Sequence, residues 1–163
     1  MRIVAIAGTI IRRSIIVIFG LLLIIQAVSL IVSNSSDKEF IKSLNHDGPV
    51  TKYTLNKKID MDGDIFTAKE LYLTSKKTVL HYSISKQDPG GWSFPNSAIK
   101  LINSNGEELM QHSSSSSSTG RGETGFISFN EMNEPLGSIT LKYEWYDRQA
   151  EINIPLAKDG EGQ

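Results

Sequence analysis

The sequence predicts an all-β fold, an antiparallel β-sandwich preceded by one N-terminal transmembrane helix. Three observations carry that expectation. Residues 14–32, SIIVIFGLLLIIQAVSLIV, run without a formal charge; as a helix they would extend about 28 Å, close to the hydrocarbon thickness of a bilayer. From Val50 onward, apolar and polar residues alternate in short runs, the period of a half-buried strand. Turn-forming clusters such as DMDGD, NSNG and KQDPGGWSFPN interrupt those runs, and no stretch there sustains a 3.6-residue period.

At the N-terminus, Arg2, Arg12 and Arg13 precede the apolar run, while Asp37, Lys38 and Glu39 follow it. The basic excess places residues 1–13 in the cytoplasm and the chain beyond residue 32 outside. A cleaved signal peptide competes with this reading, with residues 15–25 as its apolar core and Ala27-Val28-Ser29 as a small-residue cleavage site. Leu30, Ile31 and Val32 continue the apolar stretch past that site and favour a retained anchor. Ser36 and Glu39 have capping-box spacing ahead of Phe40, Ile41 and Leu44. Residues 33–50 are therefore expected to form a juxtamembrane segment with a short helix, stopped by Asn45-His46-Asp47-Gly48-Pro49.

The sandwich is expected over residues 51–156. A first strand at 50–59 places Tyr53 and Leu55 on one face, and the Asp-Gly pair in residues 60–64 turns it. Strands at 65–74 and 78–85 follow; in the latter Leu80, Tyr82 and Ile84 face inward, with Val79, His81 and Ser83 on a polar outer face. Residues 97–102 and 107–112 flank Asn103-Ser104-Asn105-Gly106. A serine-rich slack connector then leads to a short strand at 126–129. Ile139, Leu141, Tyr143 and Trp145 share one face of a strand at 139–145, and Ile152, Ile154 and Leu156 one face of a strand at 150–156. Pro155 ends that strand or marks an edge. Residues 157–163 are expected to be a disordered tail. Many short strands with frequent turns suggest an immunoglobulin-like sandwich.

The stretches KKIDMDGDIFTAKELYLTSKKTVLHYSI, LINSNGEEL and EPLGSITLKYEW resemble the extracytoplasmic immunoglobulin-like domain of unknown function found in single-pass membrane proteins of Gram-positive bacteria. The resemblance covers residues 54–156. It implies an exported domain anchored in the cytoplasmic membrane and transfers no catalytic residue.

Composition narrows the function. Eighteen acidic residues against seventeen basic give a net charge of −1, so no global basic field points to nucleic acid. The absence of cysteine excludes disulfides, thiolate metal sites and thiol nucleophiles. Gly120, Gly122 and Gly125 spell G-x-G-x-x-G, but a dinucleotide site needs a strand before and a helix after; serines precede and FISF follows, so no nucleotide is expected. Asp60, Asp62 and Asp64 miss the calcium-loop spacing and read as a solvated turn. Glu107 and Glu108 are neighbours and point to opposite strand faces, while His46, His81 and His112 lack metal-ligand spacing. One feature stands out. Trp92 and Phe94 lie in a Pro/Gly-rich loop, as a candidate interaction loop or as rings folded back to close the sandwich.

The expected function is therefore a membrane-anchored, extracytoplasmic, non-enzymatic interaction or accessory module of the cell envelope. No catalytic, metal or cofactor residue is assigned. Its alternatives are an envelope hydrolase acting on cell-wall material, or a freely secreted structural protein if the N-terminal segment is cleaved.

Overall fold

A computed structural model describes residues 12–24, 38–61, 63–88, 93–132 and 137–156. The chain divides into two compact units, Met1–Lys42 and Ser43–Gln163. In the first, residues 12–24 are helical and carry exposed Ile15, Ile16, Val17, Ile18 and Phe19. Among the described residues no helix is long and apolar enough to cross a membrane, and residues 25–37, which hold the rest of the expected anchor, lie outside them. A second helix, 38–44, occupies the position the capping-box spacing suggested. It passes into a short 3-10 turn at Asn45–Asp47.

Ser43–Gln163 is built on nine described strands in two antiparallel sheets. The strands are β1 (Thr51–Met61), β2 (Asp64–Leu73), β3 (Lys77–Ser85), β4 (Ile99–Ile102), β5 (Glu108–Leu109), β6 (Gln111–Thr119), β7 (Gly122–Asn130), β8 (Ser138–Trp145) and β9 (Arg148–Pro155). One sheet has the order β1-β2-β3-β7-β6, the other β5-β4-β8-β9. The alternating apolar positions decide the register. Tyr53 pairs with Leu71, Leu71 with Leu80 and Leu80 with Ile127. On the other sheet Leu101 pairs with Leu141, and Ile139 with Ile154. Both rows enter a single buried cluster, so the two sheets face each other as an all-β sandwich. Each fully buried Leu or Ile contributes roughly 1.5–3 kcal/mol.

The segment before β1 is tied to this unit. Leu44 is fully buried. Ser75 Oγ donates to the Asp47 carbonyl at 2.6 Å, and Lys77 reaches the Asp47 carboxylate at 2.9 Å. That lysine, ahead of Lys76, holds the Asp47 carboxyl below the usual carboxylate range.

Four expectations need correction. The serine tract is not a slack connector: residues 113–118 lie within β6, paired with β7 from Ser113↔Ser128 to Ser118↔Glu123. The strand expected at 107–112 is interrupted at Met110, between β5 and β6, and the strand expected at 126–129 is the longer β7. Backbone pairing holds β6 in place, which neither propensity nor periodicity encodes. His81, placed on a polar outer face, is 7% exposed, and Val79 beside it is fully buried. A central strand between β2 and β7 has both faces covered by its neighbours' side chains, here Phe126 stacked on the His81 ring at 4.6 Å.

Candidate functional site

The connection from β3 to β4 carries Phe94 into the core. Its ring is 6% exposed and lies 5.7 Å from Phe66, 5.9 Å from Tyr82 and 6.2 Å from Tyr143. These partners come from both sheets, so Phe94 closes the sandwich, the second of the two readings its loop allowed. Trp92 lies outside the described residues. Behind Phe94, the Tyr82 hydroxyl is 2.7 Å from Glu123 Oε1 and 2.6 Å from Asn96 Oδ1. Burial pushes the Tyr82 phenol up, and the Glu123 carboxylate adds to that. Asn96 in turn donates to Ser114 Oγ at 3.3 Å. The arrangement pins the crossover to β3, β7 and β6.

The other sequence candidates resolve into local structure. Asp60 Oδ1 accepts the Gly63 N–H at 2.9 Å, and Asp64 Oδ1 accepts the Gln87 N–H at 2.9 Å. Asp62 lies outside the described residues. Glu107 accepts from Asn103 Nδ2 and Glu108 pairs with Lys100. His46 Nδ1 is 3.2 Å from the Ser43 carbonyl, and His112 hydrogen-bonds Asn130. Among the described residues no group of His, Asp and Glu is placed to hold a metal ion. Gly120, Gly122 and Gly125 belong to the β6–β7 hairpin, a strand–turn–strand context rather than the strand–turn–helix of a dinucleotide site.

On the outer face of the five-stranded sheet, Glu70 gathers Lys52 at 2.6 Å, the Tyr72 hydroxyl at 2.6 Å and His81 Nδ1 at 3.0 Å. Partial burial pushes the Glu70 carboxyl up, but the hydrogen bonds from Lys52, Tyr72 and His81 together outweigh it and bring the carboxyl to about 2. A carboxyl with a depressed folded pKa stabilises the fold fully above its unfolded value of 4.5 and loses that contribution as pH falls toward 2. After discounting for solvent screening, the effect is about 1–2 kcal/mol. The stability gap between the unsubstituted chain and Glu70→Gln, measured by urea unfolding, is therefore expected to be constant from pH 7 to 5. It should narrow between pH 4.5 and 2.5; a gap independent of pH would show that the ionised carboxylate does not carry the contribution.

The sequence did not single out the β8–β9 hairpin as a site. Trp145 pairs with Arg148 as the last rung, leaving Tyr146 and Asp147 as a two-residue loop. Such loops favour Gly or Asn because their backbone enters positive φ. Tyr146 has φ 55 and is 87% exposed, and its ring meets Trp145 edge-to-face at 5.1 Å. Trp145 is itself 36% exposed. Together with Tyr143, Asp147 and Arg148 the pair lines a cleft of about 370 Å³. Alternation placed Trp145 on the right face, but β8 runs past the end of the core. The available signal was Tyr-Asp standing where a tight hairpin favours Asn-Gly. No family model, curated protein or solved structure matches the chain.

Proposed function

We propose that this protein is a non-enzymatic interaction module of the cell envelope, an immunoglobulin-like sandwich held outside the cytoplasmic membrane by the apolar segment 14–32. The Trp145–Tyr146 tip is its contact surface. Tyr146 carries the reading. It occupies a left-handed backbone position that costs a non-glycine residue about 1 kcal/mol, yet its ring contributes nothing to the core. An exposed aromatic kept at an energetic cost is expected of a binding residue, and Tyr and Trp are enriched at interface hot spots. The uncharged run and its arginine flank support the anchor and its orientation.

Two measurements test this. A photo-crosslinking residue at Tyr146 is expected to give a discrete adduct in intact cells, and the same residue at Asn153, on β9, none. Tyr146→Gly should raise thermal stability by about 1 kcal/mol while abolishing partner capture by the native chain. Adducts independent of position would overturn the contact surface. A reporter fused after Gln163 and active only outside the membrane should function; its silence, with a cytoplasmic reporter working instead, would overturn the topology.

A further inference from the structure

We propose that the free edge of β6 is a self-association surface, on which a second copy of this chain adds its own β6 antiparallel across a two-fold axis. Among the described residues, four strands terminate the two sheets: β1, β6, β5 and β9. An open edge is a template for further pairing, and proteins blunt edges with charge, proline, bulges or shortness. Three of the four are blunted. β1 carries Lys52, Lys57 and Lys58, breaks register between Thr54 and Lys57, and holds Asn56 at φ 47. β5 has two residues. β9 carries Arg148 and Glu151 and ends at Pro155.

β6 is different. Its bulge lies at one end, between Gln111 and Ser113, and residues 113–119 then pair with β7 in unbroken register. That stretch is exposed and contains no charge and no proline. Its side chains are serine hydroxyls and one threonine, which hydrogen-bond across strands when they face each other.

The occupant follows from the same composition. A foreign peptide is selected through pockets for alternate side chains, and a run of serines forms none. A second β6 needs only register. Residues directly opposite in an antiparallel pair must both turn their backbone groups toward the partner or both away, so a two-fold axis has to pass through one residue, Ser115 or Ser116. With Ser115 on the axis, residues 113–117 face serine at every rung. The Arg121 side chains then lie at opposite ends of the ladder, roughly 35–40 Å apart, and do not repel. Two five-stranded sheets become one continuous sheet. The interface is small by the standards of stable dimers, so association is reversible and concentration-dependent.

Because the chain has no cysteine, single-cysteine variants of the full chain in detergent give a clean test. Ser115→Cys and Ser116→Cys cover both positions of the axis: the one through which it passes meets its own copy with Cα atoms about 4.5–5.5 Å apart, which suits a disulfide. Under mild oxidation at least one of them is expected to form a covalent dimer tenfold or more faster than Lys58→Cys on β1 or Asn153→Cys on β9. Sedimentation of the cysteine-free chain should show a reversible dimer, and Ser115→Lys should remove it while leaving the circular dichroism unchanged. Equal oxidation rates at all three edges would overturn the proposal. So would a monomer persisting to about 1 mM, the weak end of specific association, or crosslinking in native membranes to a chain of different mass with no homodimer.

Discussion

Leu80→Asp leaves the domain unfolded at room temperature. Leu80 is fully buried between Leu71 and Ile127 at the centre of the five-stranded sheet. The substitution removes a core side chain and buries a carboxylate within the hydrophobic cluster. A buried unpaired charge costs more than about 4 kcal/mol, a large part of the 5–15 kcal/mol that holds a typical small domain folded. Circular dichroism at neutral pH should show the loss of strand signal. His81→Asp, one residue along, is expected to cost about 2–3 kcal/mol rather than nothing. It deletes the ring stacked on Phe126 and sets a second carboxylate beside Glu70. Two native-like variants would mean that β3 is not the central strand.

The difference between these two neighbours shows which physical signals the sequence carries. Period-two alternation reports which side chains share a face, and it placed Leu80, Tyr82, Ile84, Ile139, Leu141 and Tyr143 correctly in the core. It does not report how well the opposite face is covered. His81 looked like a surface residue because covering it depends on Phe126 and Glu70, which reach it only through pairing with β7 and β2. Trp145 shows the same limit along the strand axis: alternation gave its face, while its exposure follows from where the opposing sheet ends. β6 left no periodic trace, because a strand with both faces exposed has no apolar alternation to display. Its evidence lay in backbone hydrogen bonds, which any residue but proline can make. The glycines beyond it carried a packing signal in the form of a nucleotide motif. A Cβ on Gly122 would approach the Ile84 carbonyl oxygen to 2.4 Å, and one on Gly125 would approach the Ser115 carbonyl oxygen to 2.4 Å.

Replacing residues 114–118 by a single glycine lowers the melting temperature by about 10 °C or more. A slack connector would predict almost no change, since loop-closure entropy varies by only about 0.6 kcal/mol per halving of length. The register removes that freedom. Ser113 pairs with Ser128 and Thr119 with Gly122, so the ends of β6 follow β7 over about 20 Å. The shortened chain would leave four residues between Ser113 and Gly122, which extend no more than about 19 Å across five Cα–Cα steps. It can close only by tearing the first rows of β7 from their partners. That exposes the backbone beside Phe126 and Ile127, and opens the Tyr82–Glu123 hydrogen bond to water. A loss of 2–3 kcal/mol corresponds to about 10 °C for a domain of this size. Gly122→Ala should also destabilise, by about 1–3 kcal/mol, because the added methyl meets backbone that cannot step aside. Calorimetry of both variants beside the unsubstituted chain decides the matter. An unchanged melting temperature for the shortened chain would return residues 114–118 to the role of a connector, and with it remove the edge on which the dimer is built.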